Sequence, residues 1–291
     1  MSEPVKISTD LAAVRDHRRD YGDFLYVYPV ISRRSRGLSI GVNLNPDKVC
    51  NFNCVYCEVD RMTPARTRRL DLGVLRAELE EMLAWVRDGR LAADPRFREA
   101  GWMAREVRDI AFSGDGEPTM VPNFTECVQL VAEVKQKAGL AEARIVLITD
   151  AVGLDKLTVR RGLEIMDANQ GEVWAKLDAG TEAYYRLVNR SYVRFERILS
   201  NVRRTAQVRT VIIQSLFLKV RGEVMPEAEL MAYCDRLNEL AVGGARIKAV
   251  HAYTVARPTP EAWATRLSEE ELGAMAGVIR ARTGLTVETF A

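Results

Sequence analysis

The sequence has little cysteine and histidine and no long apolar run. Five cysteines and two histidines occur among its 291 residues. So few cysteines, odd in number, exclude a disulfide framework as the basis of the fold. The longest mostly apolar stretch, Val208–Val220, is interrupted by polar residues and is too short for a membrane span of about 20 residues. Met1–Asp10 lacks the apolar core of an export signal. We therefore expect a reduced, cytoplasmic protein without membrane segments.

The sequence also lacks an excess of charge of either sign. Its 42 Lys and Arg residues against 40 Asp and Glu residues give a net charge of +2. The chain therefore has no global positive field with which to attract nucleic acid. Local positive charge is present in two arginine runs, which could contact phosphates or lie solvated on the surface. These runs are Arg33, Arg34 and Arg36, then Arg61, Arg66, Arg68 and Arg69.

Short apolar runs alternate with helical patterns along most of the chain. Several runs are rich in Val and Ile and continuously apolar, which is typical of strands covered on both faces. The predicted strands are Leu38–Asn43, Val107–Phe112, Arg144–Thr149, Glu172–Leu177, Arg209–Leu218 and Ile247–Thr254. Helical spacing of apolar residues predicts helices at Leu72–Val86, Asn123–Lys137, Leu154–Met166, Phe195–Arg204, Pro226–Leu240 and Glu269–Arg282.

This alternation predicts an α/β fold with a parallel sheet. Six strand–helix units favour a partial (β/α)6 barrel, although alternation alone also fits a doubly wound sheet. With no linker or repeat in view, we predict one domain over 1–291. It comprises an N-terminal cover at 1–37, a barrel core at 38–257 and a C-terminal helix and strand at 258–291. In either architecture ligands bind at the C-terminal ends of the strands, so the candidate site residues are the polar ones that follow each strand.

Three of the cysteines lie close together after the first predicted strand. Cys50, Cys54 and Cys57 have the spacing C-x3-C-x2-C. Three thiolates on one loop can hold three irons of a four-iron cluster, leaving the fourth iron open for a small molecule. Structural zinc is the alternative, but it takes four ligands, and neither histidine has zinc-motif spacing. Cys127 and Cys234 fall within predicted helices, where a buried free thiol is the expectation.

A glycine-containing motif follows the second predicted strand. It reads Ser113-Gly114-Asp115-Gly116-Glu117-Pro118-Thr119. Its two glycines let the backbone approach a ligand closely, and Glu117 can pair with an ammonium group. Polar residues also end the third and fourth predicted strands, at Thr149, Asp150 and Asp178. We expect these three to contact a ligand or substrate.

The cysteine motif, with Tyr56 before its last cysteine, resembles the radical S-adenosylmethionine (SAM) superfamily. The resemblance implies a [4Fe-4S] cluster held by Cys50, Cys54 and Cys57, with SAM chelated to the open iron. It implies reductive cleavage of SAM to a 5′-deoxyadenosyl radical, which abstracts a hydrogen atom from a substrate. The glycine motif is similar to the family's Gly-Gly-Glu motif, departing from it by Asp115 between the glycines. By this resemblance the predicted SAM contacts are Tyr56, Gly114, Asp115, Gly116, Glu117, Thr149, Asp150 and Asp178.

Further stretches resemble one branch, which contains the wybutosine-type tRNA-modifying enzymes and uncharacterised relatives. They include the segments 32–41, 176–180, 253–258 and 283–288. The wybutosine enzymes carry a second cluster on extra N-terminal cysteines, and this sequence has none before Cys50, so we do not expect the same reaction. The substrate is left open among tRNA, protein and small molecule.

The predicted function is a radical SAM oxidoreductase or transferase with a single cluster. The resemblance implies a reductant such as flavodoxin or ferredoxin as a partner. Two alternatives stay open: an activase of a glycyl-radical protein, and an RNA-binding iron–sulfur module without SAM turnover. The arginine runs motivate the second alternative.

Overall fold

The computed structural model describes residues 11, 13, 21–257 and 259–291. Predictions for residues 1–10, 12 and 14–20 of the N-terminal cover, and for Pro258, lie outside the described residues. The described chain forms two compact units. The first unit comprises the described residues up to Val49 with Arg61–Leu147 and Leu157–Glu172. The second unit comprises Cys50–Asp60, Ile148–Lys156 and Val173–Ala291.

The strands of the first unit begin with an antiparallel hairpin. In it β1 (Val27–Ser32) pairs with β2 (Gly37–Val42), and Tyr28 lies opposite Gly41. β3 (Val107–Phe112) runs parallel to β2, and β4 (Arg144–Thr149) runs parallel to β3. All six residues of β2 are buried, as expected for a strand paired on both sides and covered on both faces.

The helices of the first unit follow the apolar periodicity. They are α1 (Leu72–Arg87), the short α2 (Arg90–Ala93), α3 (Phe124–Lys137) and α4 (Leu157–Asp167), with 3-10 turns at Arg98–Arg105 and Pro118–Met120. Helix α1 begins at an Asp71 cap, whose carboxylate accepts from the N–H groups of Gly73 and Val74. Its buried stripe includes Leu75, Leu79 and Met82, which is the spacing that predicted it.

The second unit is built around parallel strands. β5 (Gly171–Lys176), β6 (Val211–Leu216), β8 (Ile247–Tyr253) and β10 (Val287–Phe290) pair in the order β5-β6-β8-β10. A small antiparallel pair joins β7 (Lys219–Val220) to β9 (Ala264–Thr265). The helices are α5 (Glu182–Asn189), α6 (Phe195–Val208), α7 (Glu227–Val242) and α8 (Glu269–Thr283).

All six predicted strands and all six predicted helices are present. The strands at Val107–Phe112 and Arg144–Thr149 are confirmed residue for residue. The predicted strand Arg209–Leu218 is too long, since α6 continues through Val208 and the strand occupies Val211–Leu216. The predicted helix start at Leu154 is also wrong, because turns precede Leu157.

The sequence did not predict β1 or α5, nor the short α2, β7, β9 and the 3-10 turns. Pro29 interrupts the apolar pattern of β1, and proline is tolerated there because β1 is an edge strand. Helix α5 has eight residues, and two turns give too little periodicity to separate a helix from a loop. In the described part of the chain, no helix combines the length and apolarity that a membrane crossing requires.

Candidate functional site

The cysteine loop, residues 50–60, belongs to the second unit and contains no regular helix or strand. The N–H of Asn53 donates to the Asn189 carbonyl (3.0 Å), and the N–H of Val55 donates to the Val188 carbonyl (2.9 Å). The loop therefore satisfies carbonyls that the C-terminal end of α5 leaves without helical partners. Cys54 is only 8% exposed, whereas Cys50 and Cys57 are half-buried.

A buried hydrogen-bond network joins the cysteine loop to two strand ends. The Tyr56 hydroxyl donates to Oδ2 of Asp178. The Asn189 amide donates to Asp178 Oδ2 (2.7 Å), to the Tyr56 oxygen (3.0 Å) and to Cys54 Sγ (3.5 Å). The other carboxylate oxygen, Asp178 Oδ1, accepts from the N–H of Leu216 at the end of β6 (2.9 Å). Both oxygens of Asp178 therefore have protein donors, and this carboxylate fixes the position of Tyr56.

Lys176 places a positive charge beside this network. Its Nζ lies 4.7 Å from the centre of the Tyr56 ring, within the range of a cation–π contact. Burial lowers the pKa of Lys176, but the neighbouring groups, Cys54 foremost among them, outweigh burial, so its pKa is raised and it stays protonated. Burial raises the pKa of the Cys54 thiol, and the Lys176 ammonium opposes that effect. The site thus holds a fixed cation near the cysteine sulfurs.

An ion pair stabilises the far end of the cysteine loop. Glu58, which directly follows Cys57, pairs with Arg257, a residue just past β8. A second pair within the same unit joins Arg190 to Glu261 (2.6 Å). These contacts tie the loop and the segment after α5 to residues that follow β8.

The glycine motif lies in the first unit, after β3. Asn43, which directly follows β2, donates from Nδ2 to Asp115 Oδ2 (2.8 Å) and accepts from the Asp115 N–H (3.1 Å). A Cβ on Gly114 would overlap the Asn43 side chain, and a Cβ on Gly116 would overlap the carbonyl of Val49. Both glycines are therefore required by close packing within this unit.

Glu117 is buried and faces its own turn. Its Oε1 accepts from the N–H of Thr119 (3.1 Å) and from the Thr119 hydroxyl (2.6 Å). The Glu117 N–H donates to the Val49 carbonyl (3.1 Å). The carboxylate thus caps the 3-10 turn at Pro118–Met120.

Thr149 and Asp150 form the turn after β4. Thr149 Oγ1 accepts from the Ala151 N–H (3.0 Å), and Asp150 Oδ1 accepts from the Val152 N–H (2.9 Å). The Asn201 side chain of α6 donates to the carbonyls of Ala151 (2.9 Å) and Val152 (3.0 Å). Both candidate residues are buried and shape this strand end.

The structure thus brings Cys54, Tyr56 and Asp178 together and places Gly114–Glu117 in the other unit. Sequence reasoning missed Asn189 and Asn43. Asn43 could have been found, because it follows β2 directly, where polar residues are sought. Asn189 gave no signal, since it lies on a helix that the periodicity did not predict.

The three loop cysteines fit an iron–sulfur cluster by their donor chemistry. No disulfide joins any of the five cysteines. Cys50 Sγ accepts from the Phe52 N–H (3.4 Å), and Cys54 Sγ accepts from Asn189, which are contacts of the kind that cluster sulfurs make. Within the described residues, no three His, Cys, Asp or Glu side chains converge around a single metal ion. A cluster joins each cysteine to a different iron, so its ligands need not converge in that way.

Comparison with protein-family models gives no match. A UPF0026 protein of Helicobacter pylori is 24% identical over 252 residues, which cover 84% of this chain and 70% of that protein. A UPF0026 protein of Methanocaldococcus jannaschii is 27% identical over 165 residues, with coverages of 56% and 43%. The GTPase Obg of Brachyspira hyodysenteriae is 27% identical over 161 residues, and this chain spans only 20% of its length.

Two solved structures share most of the fold. Streptococcus suis SuiB bound to S-adenosylmethionine has a TM-score of 0.57 and 14% identity, covering 86% of this chain and 50% of that one. TYW1 with a lysine–pyruvate adduct bound has a TM-score of 0.51 and 15% identity, covering 86% and 74%. These structures are of radical SAM enzymes, so the resemblance to that superfamily is confirmed at the level of the fold. The predicted α/β partial barrel is likewise confirmed. At this identity the likeness establishes the fold, and activity must be argued from residues.

Proposed function

We propose that this chain is a radical SAM enzyme that holds one [4Fe-4S] cluster through Cys50, Cys54 and Cys57. When bound, the reduced cluster supplies one electron that breaks the sulfonium–C5′ bond of SAM, giving methionine and a 5′-deoxyadenosyl radical that takes a hydrogen atom from the substrate. The observation that carries the proposal is the C-x3-C-x2-C loop, fastened to the end of α5 by backbone hydrogen bonds. The fold shared with SuiB and TYW1 supports it.

In this proposal residues of the second unit help the cysteine sulfurs to bind iron. Burial raises the pKa of the Cys54 thiol, and the Lys176 ammonium opposes this by favouring the thiolate, which is the form that binds iron. Burial of Cys54 would keep water away from the sulfur that binds iron. The Tyr56–Asp178 hydrogen bond orients the Tyr56 ring, which we propose lies against the SAM adenine.

We further propose that the glycine motif and the strand ends bind SAM. The motif would bind the methionine part through its backbone, with Glu117 accepting from the ammonium group. The contacts of Glu117 with Thr119 would orient its carboxylate for this role. The proposed contacts are Tyr56, Gly114, Asp115, Gly116, Glu117, Thr149, Asp150 and Asp178. The electron would come from a low-potential donor protein such as flavodoxin or ferredoxin.

Anaerobic reconstitution with iron and sulfide tests the proposal. We expect a brown protein whose visible absorption bleaches with dithionite and which converts SAM to 5′-deoxyadenosine. Cys54→Ala should lose the cluster and the cleavage activity, because one thiolate ligand is gone. Cys234→Ala is the matched control: Cys234 is also buried in the second unit but lies within α7, and this variant should keep both.

A colourless protein that retains zinc after reconstitution would overturn the proposal. A protein that holds a cluster and binds RNA in a salt-dependent way, without cleaving SAM, would support the RNA-binding alternative instead. An activase would cleave SAM and leave a stable glycyl radical on a partner protein, detectable by electron paramagnetic resonance (EPR).

A further inference from the structure

The segment Val188–Ser191, which ends α5 and follows it, makes a dense set of contacts with the cysteine loop. Its backbone accepts from two loop N–H groups, and its side chains donate to the loop three times. The contacts are Val55 N–H to Val188 O, Asn53 N–H to Asn189 O, Ser191 Oγ to Asn51 O (3.2 Å), and Asn189 Nδ2 to both Cys54 Sγ and Tyr56 Oη. The loop is therefore positioned by this segment, and Asn189 reaches a cysteine sulfur from it.

The chemistry of its neighbours fixes the orientation of the Asn189 amide. Asp178 presents a carboxylate, Cys54 presents a sulfur, and the Tyr56 hydroxyl donates its hydrogen to Asp178, which leaves its oxygen as an acceptor. All three groups accept hydrogen bonds, so only the NH2 side of the amide can face them. The amide has two N–H groups for three acceptors, so one N–H is shared between two of them, and Cys54 Sγ is among the atoms that Nδ2 reaches. Asn189 is only 1% exposed, so water does not compete for these contacts.

We propose that Asn189 is a positioning residue that sets the reduction potential of the cluster through its hydrogen bond to Cys54. The inference rests on the proposed function. Reduction adds negative charge to the cluster and its thiolates, and a donor to a ligand sulfur stabilises that added charge. Asn189 therefore makes reduction easier, and its link to Asp178 and Tyr56 keeps the donor aligned when the cluster changes charge.

The test compares midpoint potentials measured by EPR-monitored redox titration of reconstituted protein. Asn189→Ala removes the donor, and we expect a lower potential, by about tenfold in the reduction equilibrium or about 59 mV for one electron. Asn189→Leu fills a similar volume but removes both N–H donors, so its potential should fall by a similar amount. Asn201→Ala is the matched control, because Asn201 is equally buried in the second unit but donates to Ala151 and Val152. Its potential should match wild type.

The outcomes separate this inference from the function on which it rests. If wild type holds a cluster and cleaves SAM but Asn189→Ala has an unchanged potential, the inference is wrong and the function stands. If wild type forms no cluster, the function itself fails. If Asn189→Ala does not fold, as judged by thermal unfolding of the apo protein, the potential of Asn189→Leu, which leaves no cavity, tests the inference instead. A fall in potential of similar size in Asn201→Ala would show a general effect of destabilisation and would also overturn the inference.

Discussion

At the scale of the residue, single buried carboxylates accept hydrogen bonds from several backbone N–H groups and hold these segments in place. Glu78 of α1 accepts from the N–H groups of Leu25 (2.7 Å), Tyr26 (2.8 Å) and Val27 (3.1 Å). Glu229 of α7 likewise accepts from the N–H groups of Gly180 and Thr181, which directly precede α5. In sequence these residues look like any exposed glutamate, and only tertiary burial gives them their role.

Asp109 in β3 predicts a pH dependence of stability. It is 1% exposed, and burial raises the pKa of its carboxyl, against the opposing effects of hydroxyl donors and Arg144. The folded chain therefore binds this proton more tightly than the unfolded chain, so the contribution of Asp109 falls as pH rises above the ordinary value of 3.8 through the folded pKa. Asp109→Asn removes the titration. We expect the stability of the variant, relative to wild type, to rise with pH over this window, as measured by urea unfolding.

Ser39→Ala provides the companion variant for Asp109. The Ser39 hydroxyl donates to Asp109 Oδ1 (2.5 Å) and holds the pKa of that carboxyl down. Without it the pH-dependent loss should extend to higher pH. Parallel pH profiles for wild type and both variants would contradict the expectation.

At the scale of the element, strand ends carry the candidate site, and close packing defines the turns that follow them. The rule that ligands bind past the C-terminal ends of parallel strands makes Thr149 and Asp178 candidate site residues from the sequence alone. Both lie where that rule expects, directly at or after a strand. The rule does not predict which side chains stabilise these turns. Asn43 and Asn201 reach them from segments 72 and 50 positions away, and Asn189 lies on a helix that the sequence did not predict.

Gly116→Ala tests the packing of the glycine motif. A Cβ there would overlap the Val49 carbonyl and the Asn45 side chain, and backbone cannot yield as a flexible side chain can. We expect a loss of stability of about 1–3 kcal/mol by chemical denaturation, together with weaker SAM binding by calorimetry. Gly277→Ala in α8 is the control: no atom lies within 4 Å of its Cβ position, so it should gain about 0.5–1 kcal/mol. If Gly116→Ala is as stable as wild type, the close approach of Gly116 to the Val49 carbonyl is wrong.

At the scale of the whole molecule, the cysteines divide by accessibility. Burial raises the pKa of the Cys127 thiol to about 12 and also raises the pKa of the Cys54 and Cys234 thiols. Apo protein treated with iodoacetamide should therefore show two fast thiols, Cys50 and Cys57, and three slow ones. Peptide mass spectrometry assigns them, and full denaturation should make all five react. Rapid labelling of Cys54 in the native protein would refute its burial.

Much of the architecture was predictable because it depends on local pattern. The spacing of apolar residues alone predicted the positions of the continuously apolar strands β3 and β4 and of the periodic helix α1. Helix α5 was missed because its eight residues carry little periodicity. That omission also hid Asn189, whose importance comes from contacts with residues more than 100 positions away, such as Tyr56 and Cys54.

The sequence by itself determined the cysteine spacing, the glycine motif and the alternation that builds a parallel α/β fold, since each is a property of neighbouring residues. Only the tertiary structure decided that Tyr56, Asp178 and Asn189 form one buried network, and that Lys176 lies against the Tyr56 ring. The physical reason is that hydrogen bonding and burial depend on which distant segments fold against one another. Such contacts produce no periodic pattern of residues in the sequence, so the sequence does not predict them.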